Sequence, residues 1–465
     1  MRHPAIAIVG AGFSGTLLAL HLLHRCPAPA RITLIDRRSQ FGHGQAYATG
    51  NPSHLLNVPA ARMSAFHDRP GHFVEWLLRQ PGGDALAAQG FVPRWHFGAY
   101  VRHLLYEDMQ QPEYEDRLDL LHGDVVGLTE TEAGLTLTLD GDRRLAADMA
   151  VLAVGNFPPE PPPAATPDFL DGRLYRPDPW APDALAGLDT DAAVLLIGTG
   201  LTMADAVVSL LDQGHRGPIH ALSRRGLLPR RHAPGNPPGL HATATPGPAL
   251  PATLVEVTRA LRADVRQATA RGEDWRPVID RLRPVTQAVW QSFTAADKAR
   301  FLRHLRPWWD VHRHRMAGVV ADRIEAARQS GQLQLHTGRI QLLREQDGAA
   351  VLTFRRRSDG TLHSLTGARV VNCAGPGCDY DRIGDPLVRG LLAAGLARPD
   401  ELRLGLDITP TCALRDRLGA LSGRLFAVGP VTKAAFWEIT AVPDIRRQCE
   451  AVADHIAAIV KATLV

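Results

Sequence analysis

Short runs of apolar residues alternate along this chain with longer segments in which apolar side chains recur at helical spacing. An apolar run at 5–9 is followed by a helix-like segment at about 14–25 and by a second apolar run at 31–36. The same order returns from residue 193, where a buried strand precedes a predicted helix at about 202–213 and a strand at 219–222. Strand, helix and strand in this order form a βαβ unit with parallel strands. The pattern therefore predicts an α/β protein with at least two such units.

The rest of the chain divides at a proline-rich stretch and at a long helical segment. Residues 157–168 contain repeated prolines and are predicted to be a stiff linker at a domain boundary. The other predicted elements are helices at about 70–80 and 96–110, a strand meander at 119–154, an extended loop at 230–250, a mostly helical segment at 251–330, strands within 333–375, a final strand at 425–429 and a C-terminal helix at about 443–460. We therefore predict one domain from 1–160 and 370–465, and a second from 185–369 with a helical insertion at about 251–330.

Both βαβ units carry glycines between the first strand and the helix. The first reads Gly10-Ala11-Gly12-Phe13-Ser14-Gly15 and the second reads Gly198-Thr199-Gly200-Leu201-Thr202-Met203. A strand that ends in glycines and turns into a helix directs free backbone N–H groups and a positive helix end at a pyrophosphate. These units predict two Rossmann-like dinucleotide-binding domains, each doubly wound and three-layered.

The residues that end the second strand of each unit differ, and this difference bears on which nucleotide binds. Asp36 lies 21 residues after Gly15, where an acid accepts hydrogen bonds from the adenosine ribose and repels a 2′-phosphate. The first site is therefore suited to FAD or NAD. The second unit has Ser223-Arg224-Arg225 instead, and guanidinium groups there favour the 2′-phosphate of NADPH. The alternative interpretation is a solvated basic turn, and Met203 in place of the third glycine weakens the second fingerprint.

Two facing sites of this kind predict a flavoenzyme that holds FAD and either NADPH or NADH. The loop at 41–66 has no helical period, is rich in glycine, proline and small residues, and is predicted to pack against a ligand. The candidate cofactor-binding residues are Gly10, Gly12, Phe13, Ser14, Gly15, Asp36, Arg37, Asn57, Met63, Ser64, Val125, Gly155, Gly198, Gly200, Leu201, Thr202, Ser223, Arg224, Arg225, Gly375, Gly429 and Ile439. Arg94, Trp437 and Glu438 are added as candidates for contact with flavin or substrate. The sequence singles out no catalytic residue.

Composition narrows the range of partners. Lys and Arg total 52 against 48 Asp and Glu, a net charge of +4 that is small for 465 residues and does not favour nucleic acid. The histidines form no metal-binding motif, and no apolar run of about 18 residues predicts a membrane span. The five cysteines are scattered, which is typical of reduced thiols in a cytoplasmic protein. Cys373 and Cys378 have the spacing of a redox pair, but a buried strand end is a poor place for an exchanging thiol.

Two aromatic segments admit more than one interpretation. In 306–315, helical spacing would put Trp308, His312 and Arg315 on one face, which could bind a planar or anionic molecule or simply dock on the protein. The segment 172–180 partly resembles a motif of Baeyer–Villiger and N-oxygenating flavin monooxygenases. Arg176 stands there in the position of a histidine and Trp180 in that of an aromatic residue; the alternative is a linker whose tryptophan packs on a domain face.

Seven motifs together resemble a bacterial family known mainly as FAD/NAD(P)-binding proteins, which have two dinucleotide-binding domains. They are GAGFSG at 10–15, LLNVPA at 55–60, GTGLTMAD at 198–205, SRRGLLP at 223–229, WWDVHRHR at 308–315, NCAGPG at 372–377 and WEITAVPDIRRQ at 437–448. Relatives of that family resemble the ornithine and lysine N-hydroxylases and a bacterial FAD-dependent urate hydroxylase. The resemblance implies a discontinuous FAD domain built from both chain ends, with an NAD(P) domain between them. Gly429-Pro430 replaces the Gly-Asp that many flavoproteins have near the flavin ribityl chain.

From this resemblance we expect a flavoprotein monooxygenase that uses NAD(P)H and dioxygen to hydroxylate a small polar or nitrogenous metabolite, with urate or an amino acid or amine as candidates. One alternative is an NAD(P)H:acceptor reductase or oxidase that hydroxylates nothing. Another is a flavin-binding protein that senses redox state and signals through the helical insertion.

Overall fold

The computed structural model describes residues 3–233 and 253–464, so most of the predicted loop at 230–250 lies outside the described residues. The N-terminal elements are β1 Ala5–Val9, α1 Phe13–Arg25, β2 Arg31–Asp36, α2 Gly44–Tyr47, α3 His72–Leu78, α4 Gly83–Gln89, α5 Arg94–Met109, β3 Leu118–His122, β4 Val125–Thr131, β5 Gly134–Leu139, β6 Arg144–Ala147 and β7 Met149–Leu152. The middle elements are α6 Pro167–Leu170, β8 Tyr175–Arg176, β9 Val194–Ile197, α7 Leu201–Asp212, β10 Ile219–Ser223, α8 Leu254–Ala270, α9 Arg276–Asp280, α10 Thr286–Ser292, α11 Ala295–His304, α12 Arg306–Arg313, α13 Gly318–Gln329, β11 Leu333–Gln346, β12 Ala349–Arg356, β13 Leu362–Gly367 and β14 Arg369–Asn372. The last elements are α14 Pro386–Ala393, β15 Ala413–Arg415, β16 Leu421–Ala427 and α15 Val442–Leu464.

The first sheet joins the two ends of the chain. Its six strands lie in the order β15-β16-β7-β1-β2-β3, and all neighbours are parallel except β15 and β16. β1 and β7 are fully or almost fully buried and consist of apolar residues, as expected for central strands of a parallel sheet covered on both faces. Because β16 pairs with β7, the C-terminal segment completes the sheet that the N-terminal segment begins.

The meander predicted at 119–154 is only partly correct. β4, β5 and β6 do form a three-stranded antiparallel sheet. β3 and β7, however, belong to the parallel sheet, at its edge and near its centre. The alternation of apolar residues gives the strand positions correctly, but it does not reveal which strand each one pairs with. On the helical side of the first sheet, α1 packs against α15 and α5.

The second sheet has seven strands in the order β13-β12-β11-β10-β9-β14-β8. β14 lies between β9 and β8 and runs parallel to both. Residues 370–372 therefore belong to this sheet, and the predicted start of the C-terminal part of the first domain at residue 370 is too early. At one edge, β12 pairs antiparallel with the long strand β11, and β13 pairs antiparallel with β12.

The helices of the predicted insertion separate into two groups by what they pack against. α8 and α10 contribute Leu254 and Trp290 to a cluster that also contains Leu404 and Trp437 from the C-terminal segment. α13 instead buries Ile324 and its neighbours with α7 in the core of the second sheet, and it connects β10 to the parallel strand β11. It is therefore the crossover helix of a βαβ unit, and the insertion ends with α12 rather than near residue 330.

Candidate functional site

The two glycine turns have the same geometry at the carboxyl ends of their sheets. Gly10 has φ +108°, and a Cβ there would lie 2.3 Å from the carbonyl oxygen of Ala153, just after β7. Gly198 has φ +109°, and a Cβ there would lie 2.4 Å from the carbonyl oxygen of Cys373, just after β14. A positive φ and this close backbone approach both require glycine. Each turn thus sits against the strand that neighbours its own, at the position where doubly wound proteins bind ligands.

The first turn leads directly into α1. Gly12 is the N-cap, so the N–H groups from Phe13 onward are those that a helix leaves free for an anion. A Cβ on Gly15 would lie 1.8 Å from the carbonyl oxygen of Gly10, which explains why the third glycine is required. The carboxylate of Asp36 accepts hydrogen bonds from the Ala11 N–H at 2.7 Å and the Arg38 N–H at 2.8 Å. Asp36 is therefore fixed beside the turn, at the end of β2.

The second turn tolerates methionine at the position of the third glycine. Gly200 is the N-cap of α7, and Met203 is fully buried in the core between α7 and the sheet. The Ser223 hydroxyl lies 2.9 Å from Thr199 Oγ1 and accepts a hydrogen bond from the Gly226 N–H. Ser223 therefore helps to fix the loop after β10, and the neighbouring Arg224 is exposed.

A cavity of about 280 Å³ lies where the first domain, the second domain and the insertion meet. Leu201 and Val442, the first residues of α7 and α15, both line it. Asn57 and Met63 from the predicted ligand-binding loop line it as well, together with Arg94. The N-terminal ends of helices from both parts of the protein thus meet at one chamber, which Asn57, Met63 and Arg94 line together.

Several charged groups of this cavity neutralise one another. Arg94 lies 2.8 Å from Asp205 of α7, and Arg276 pairs with Asp274. Arg315 pairs with Asp280. Arg313 pairs with Glu438 at 3.1 Å. The remaining arginines of the cavity, Arg62 and Arg283, have fewer ion-pair partners. Arg62 has no carboxylate within ion-pair distance in the described residues, and the nearest to Arg283 is Asp444 at 3.8 Å.

Arg283 is the least satisfied of these groups. Its Nη2 is buried without a hydrogen-bond partner in the described parts of the chain. Burial, followed by the neighbouring charge of Arg313, lowers the pKa of Arg283 to about 10. A buried guanidinium with an unused donor is suited to bind an anionic group that enters the cavity.

His232 also lines the cavity and is neutral at physiological pH. Burial lowers its pKa to about 4, although a hydrogen bond between Nε2 and the carbonyl oxygen of Asn57, at 3.0 Å, opposes this shift. Because a carbonyl only accepts, Nε2 carries the proton and Nδ1 is left as an acceptor. The sequence offered no signal for this residue, since it lies between the second βαβ unit and the insertion without a motif.

Glu438 connects the insertion to the first domain. It is buried, has φ +66°, and its carboxylate accepts hydrogen bonds from Trp309 Nε1 at 2.6 Å and Arg313 Nε at 3.1 Å. Burial opposes its ionisation, but Arg313, His314 and the Trp309 bond together hold its pKa below the usual value. Glu438 therefore anchors α12, and it is not among the residues that line the small cavity.

The structure of residues 306–315 differs from the prediction that Trp308, His312 and Arg315 share one face of a helix. α12 ends at Arg313, so Arg315 lies beyond the helix and cannot share a face with Trp308 and His312 by helical spacing. Arg315 is instead buried, with its guanidinium over the ring of Trp275. Arg313, His314 and Arg315 all line the small cavity.

Other predicted site residues lie away from the cavity. Ser64 is buried and donates its hydroxyl hydrogen bond to the Arg69 carbonyl. Trp437 stacks on Trp290 within the insertion cluster, so it does not converge with Asn57 on the same chamber. Arg37 forms ion pairs with Asp385 and Asp124, next to the buried Val125.

The remaining candidate glycines are divided between the two domains. Gly155 and Gly429 follow strands of the first sheet, and a Cβ on Gly429 would lie 2.6 Å from Ser14 Oγ in the first fingerprint. Gly375 follows β14 and so belongs with the second fingerprint, not with the FAD domain in which 370–465 had been placed. Ile439 is fully buried beside Glu438.

Four of the five cysteines, Cys26, Cys373, Cys412 and Cys449, are buried and therefore unsuited to redox exchange. Cys373 is buried, and burial raises its pKa far above the usual value, so it is not a thiolate at neutral pH. Burial likewise raises the pKa of Cys412 to about 12. Within 3–233 and 253–464, no group of three or more metal-binding side chains is present. No helix in that part of the chain is long and apolar enough to cross a membrane.

Trp180 packs at the contact between the two domains. Its ring lies edge-on to His54 and beneath the guanidinium of Arg94, at 5.6 Å. Arg176 is in β8 and bonds to backbone carbonyls nearby. Of the two interpretations of 172–180, the geometry supports a tryptophan that packs on a domain face.

Two glycine turns on two sheets with parallel central strands, with a chamber between them, define a two-domain dinucleotide-binding α/β fold. Residues 7–157, which contain the first turn, match the protein family described as FAD-NAD(P)-binding. No protein of curated function matches the chain in sequence.

Solved structures with the same overall fold include amine-hydroxylating flavoenzymes. The ornithine N-hydroxylase of Kutzneria sp. 744, solved with reduced FAD, NADP⁺ and L-ornithine, matches with a TM-score of 0.67, 14% identity and 100% coverage of both chains. The ornithine hydroxylase of Pseudomonas aeruginosa matches with a TM-score of 0.65 and 15% identity, over 98% of this chain and 99% of that one. The L-lysine 6-monooxygenase of Pseudomonas syringae matches with a TM-score of 0.63, 14% identity and 100% coverage of both chains. These similarities confirm the predicted α/β fold with two Rossmann-like domains.

Proposed function

We propose that the protein is a flavoprotein monooxygenase that uses NADPH or NADH to hydroxylate a small nitrogenous metabolite carrying an anionic group, such as an amino acid or urate. The observation that carries this proposal is the chamber of about 280 Å³ lined by the first residues of both α7 and α15. Enzymes of known structure with this fold hydroxylate ornithine and lysine, which supports the reaction class.

The first glycine turn fits FAD. Its φ and its contact with Ala153 exclude a Cβ and bring backbone N–H groups to the sheet edge, where the pyrophosphate would lie. Asp36 would accept hydrogen bonds from the adenosine ribose, since each of its oxygens retains an acceptor site after binding Ala11 and Arg38. Gly429 would allow the chain to pass close to Ser14 at the start of α1.

The second glycine turn fits a nicotinamide dinucleotide. Gly198 and Gly200 would present the N-terminus of α7 to its pyrophosphate. Arg224 and Arg225, after β10, would bind a 2′-phosphate and so favour NADPH over NADH. When bound, the two cofactors would supply hydride transfer and the activation of dioxygen.

The residues of the chamber would select and orient the substrate. Arg62 and Arg283 are its least neutralised cations and would bind a carboxylate or the anion of a urate-like ring. The neutral His232, with Nε2 bonded to Asn57, would accept a hydrogen bond from a substrate N–H at Nδ1. This arrangement favours an anionic or zwitterionic substrate over a diamine, because a diamine has no anionic group that the two arginines could bind.

The test is oxygen consumption by the FAD-loaded protein with NADPH or NADH and a panel of ornithine, lysine, urate and the diamine cadaverine. We expect one of the anionic or zwitterionic compounds to accelerate nicotinamide oxidation, with hydroxylated product formed in proportion and little hydrogen peroxide. Arg283→Met should raise KM for that substrate at least tenfold and leave the KM for NADPH within twofold. If every compound leaves the rate unchanged and all oxygen appears as peroxide, the protein is an oxidase or reductase. If neither nicotinamide reduces the flavin, the assignment of the second turn is wrong.

A further inference from the structure

The helical insertion contains a second, larger cavity that the proposed reaction does not use. It has a volume of about 870 Å³, within the roughly 300–1,000 Å³ typical of ligand pockets. Apart from Trp437, all of the side chains that line it belong to α8–α12 or the turns between them. α9 and α12 separate it from the small chamber: Ile279 and His312 line the large cavity, and their neighbours Asp280 and Arg313 line the small one.

The inner wall of this cavity is aromatic and apolar. Its five tryptophans are Trp275, Trp290, Trp308, Trp309 and Trp437. The Trp290 and Trp437 rings stack with centroids 4.8 Å apart, and Phe301 lies edge-on to Trp437 at 5.3 Å. Along α8, Val257, Leu261 and Val265 recur four residues apart and form one apolar stripe.

Much of this apolar surface is open. Val257, Leu261 and Val265 are only half-buried, and Trp308 is 45% exposed. Contiguous apolar surface left in contact with water is unfavourable, and in a concave site it marks the binding of an apolar molecule. Arg262, Arg266 and His304, which line this cavity, also line the recess that adjoins it.

The mouth of the cavity is strongly basic. Arg259, Arg262 and Arg266 follow the apolar stripe on α8 at spacings of three and four residues, so they share one side of the helix. Arg300 and His304 of α11 line the adjoining recess with them. Arg300 pairs with Asp297, but no carboxylate is within ion-pair distance of the three α8 arginines in the described residues.

From the apolar wall and this arginine mouth we infer that the insertion binds an amphipathic carboxylate, with its apolar body in the tryptophan-lined cavity and its carboxylate at Arg262 and Arg266. Both charge and shape favour this occupant. A single concave volume of ligand size fits one molecule, and several unpaired guanidinium groups at its mouth are complementary to an anionic head.

The experiment uses the full-length protein loaded with FAD and a long-chain carboxylate, dodecanoate, as the probe. Binding is followed by calorimetry and by the change in tryptophan fluorescence, since five of the eight tryptophans of the chain line the cavity. We expect saturable binding of one dodecanoate per chain. The neutral dodecanol should bind at least tenfold more weakly, and acetate should not bind.

Variants separate the two halves of the site. Arg262→Gln with Arg266→Gln should lower the affinity for dodecanoate at least tenfold, to that for dodecanol. Arg271→Gln is the matched control, because Arg271 ends the same helix, pairs with Glu273 and lies outside the cavity. Leu261→Trp should abolish binding of both probes by filling the cavity, and Thr258→Phe narrows the same space as a second blocking variant. FAD content and melting temperature establish that each variant is folded.

Three results would overturn the inference. The first is no binding of dodecanoate by the folded wild-type protein. The second is equal affinity for dodecanoate and dodecanol, which would remove the role of the arginines. The third is wild-type affinity in a folded blocking variant. If sedimentation shows self-association that Trp308→Glu abolishes, while dodecanoate does not bind, the occupant is a second copy of the chain and the inference is wrong.

Discussion

Arg94 Nη2 lies 2.8 Å from Asp205 Oδ2, and this ion pair joins the first residue of α5 to α7, the helix of the second glycine turn. The two side chains are only 15% and 9% exposed. Arg94 also donates from Nε to the Leu55 carbonyl oxygen at 3.1 Å and lines the small chamber. The pair therefore holds the two dinucleotide-binding domains together at the point where their cofactors would meet.

Removing Arg94 should destabilise the protein strongly. Arg94→Met leaves the Asp205 carboxylate buried without its partner, a change that typically costs about 3–5 kcal/mol. The double variant Arg94→Met with Asp205→Leu should recover most of this loss, because it removes both charges. Denaturant unfolding followed by circular dichroism measures the effect. Arg216→Met is the control. Arg216 forms an exposed ion pair with Asp191, so this substitution should lower the free energy of unfolding by less than about 1 kcal/mol. Equal costs for Arg94→Met and Arg216→Met would contradict this role.

The two glycine turns should be separable by mutation. A methyl group on Gly10 would clash with the Ala153 carbonyl, so Gly10→Ala should abolish FAD retention. Gly198→Ala should instead leave FAD bound and raise the Kd for NADPH at least tenfold, because its clash with Cys373 distorts only the second turn. Flavin absorbance per chain and the rate of flavin reduction by NADPH measure the two effects. Gly423→Ala is the control, since a Cβ there meets nothing within 4 Å. Loss of FAD in both variants would show that the turns do not act separately.

The sequence predicts the turns well because their chemistry is local. In each βαβ unit, strand, glycines and helix follow one another within a few residues, and the predicted bounds of β1, α1, β9 and α7 differ from the structure by at most one residue. The sequence places Asp36 at the end of β2 for the same reason, because that strand follows α1 directly in the first unit.

Errors arise where a residue's role depends on a distant partner. β14 pairs with β9, which precedes it by more than 150 residues, so the pattern of its own residues could not place it in the second sheet. The sequence of α13 has the same helical pattern as the insertion helices before it. Only its packing with α7 assigns it to the core of the second sheet. Arg283 carries no motif, and its importance comes from burial beside Arg313 and Asp444.

The arginines after β10 should determine the choice of nicotinamide. Arg224→Ser with Arg225→Ser should raise the Kd for NADPH at least tenfold and leave the Kd for NADH within twofold, because only NADPH has the 2′-phosphate that they would bind. Stopped-flow reduction of the bound flavin at several nucleotide concentrations gives both constants. Arg230→Ser is a control for general loss of positive charge near the turn. If the double variant weakens the binding of NADPH and NADH equally, the two arginines form only a basic surface turn.

Histidine burial should make the protein less stable as the pH falls. Burial lowers the pKa of His21, His232 and His336 from the usual 6.5 to about 4, and for His336 the neighbouring His220, with ring nitrogens 3.1 Å apart, adds to the shift. Between about pH 6.5 and pH 4 the unfolded chain binds protons at these sites and the native protein does not. Stability is therefore fully present above pH 6.5 and is lost as the pH falls towards 4.

His336→Gln tests this dependence at one site. His336 lies on β11 opposite His220 on β10, and the substitution removes one of the groups that only the unfolded chain can protonate. The melting temperature of the variant should therefore fall less steeply than that of the wild type between pH 6.5 and pH 4, with the two curves closest in slope above pH 7. His67→Gln serves as the control, because His67 is exposed and its loss should leave the slope unchanged. A wild-type slope in the His336→Gln variant would mean that the acid sensitivity arises elsewhere in the protein.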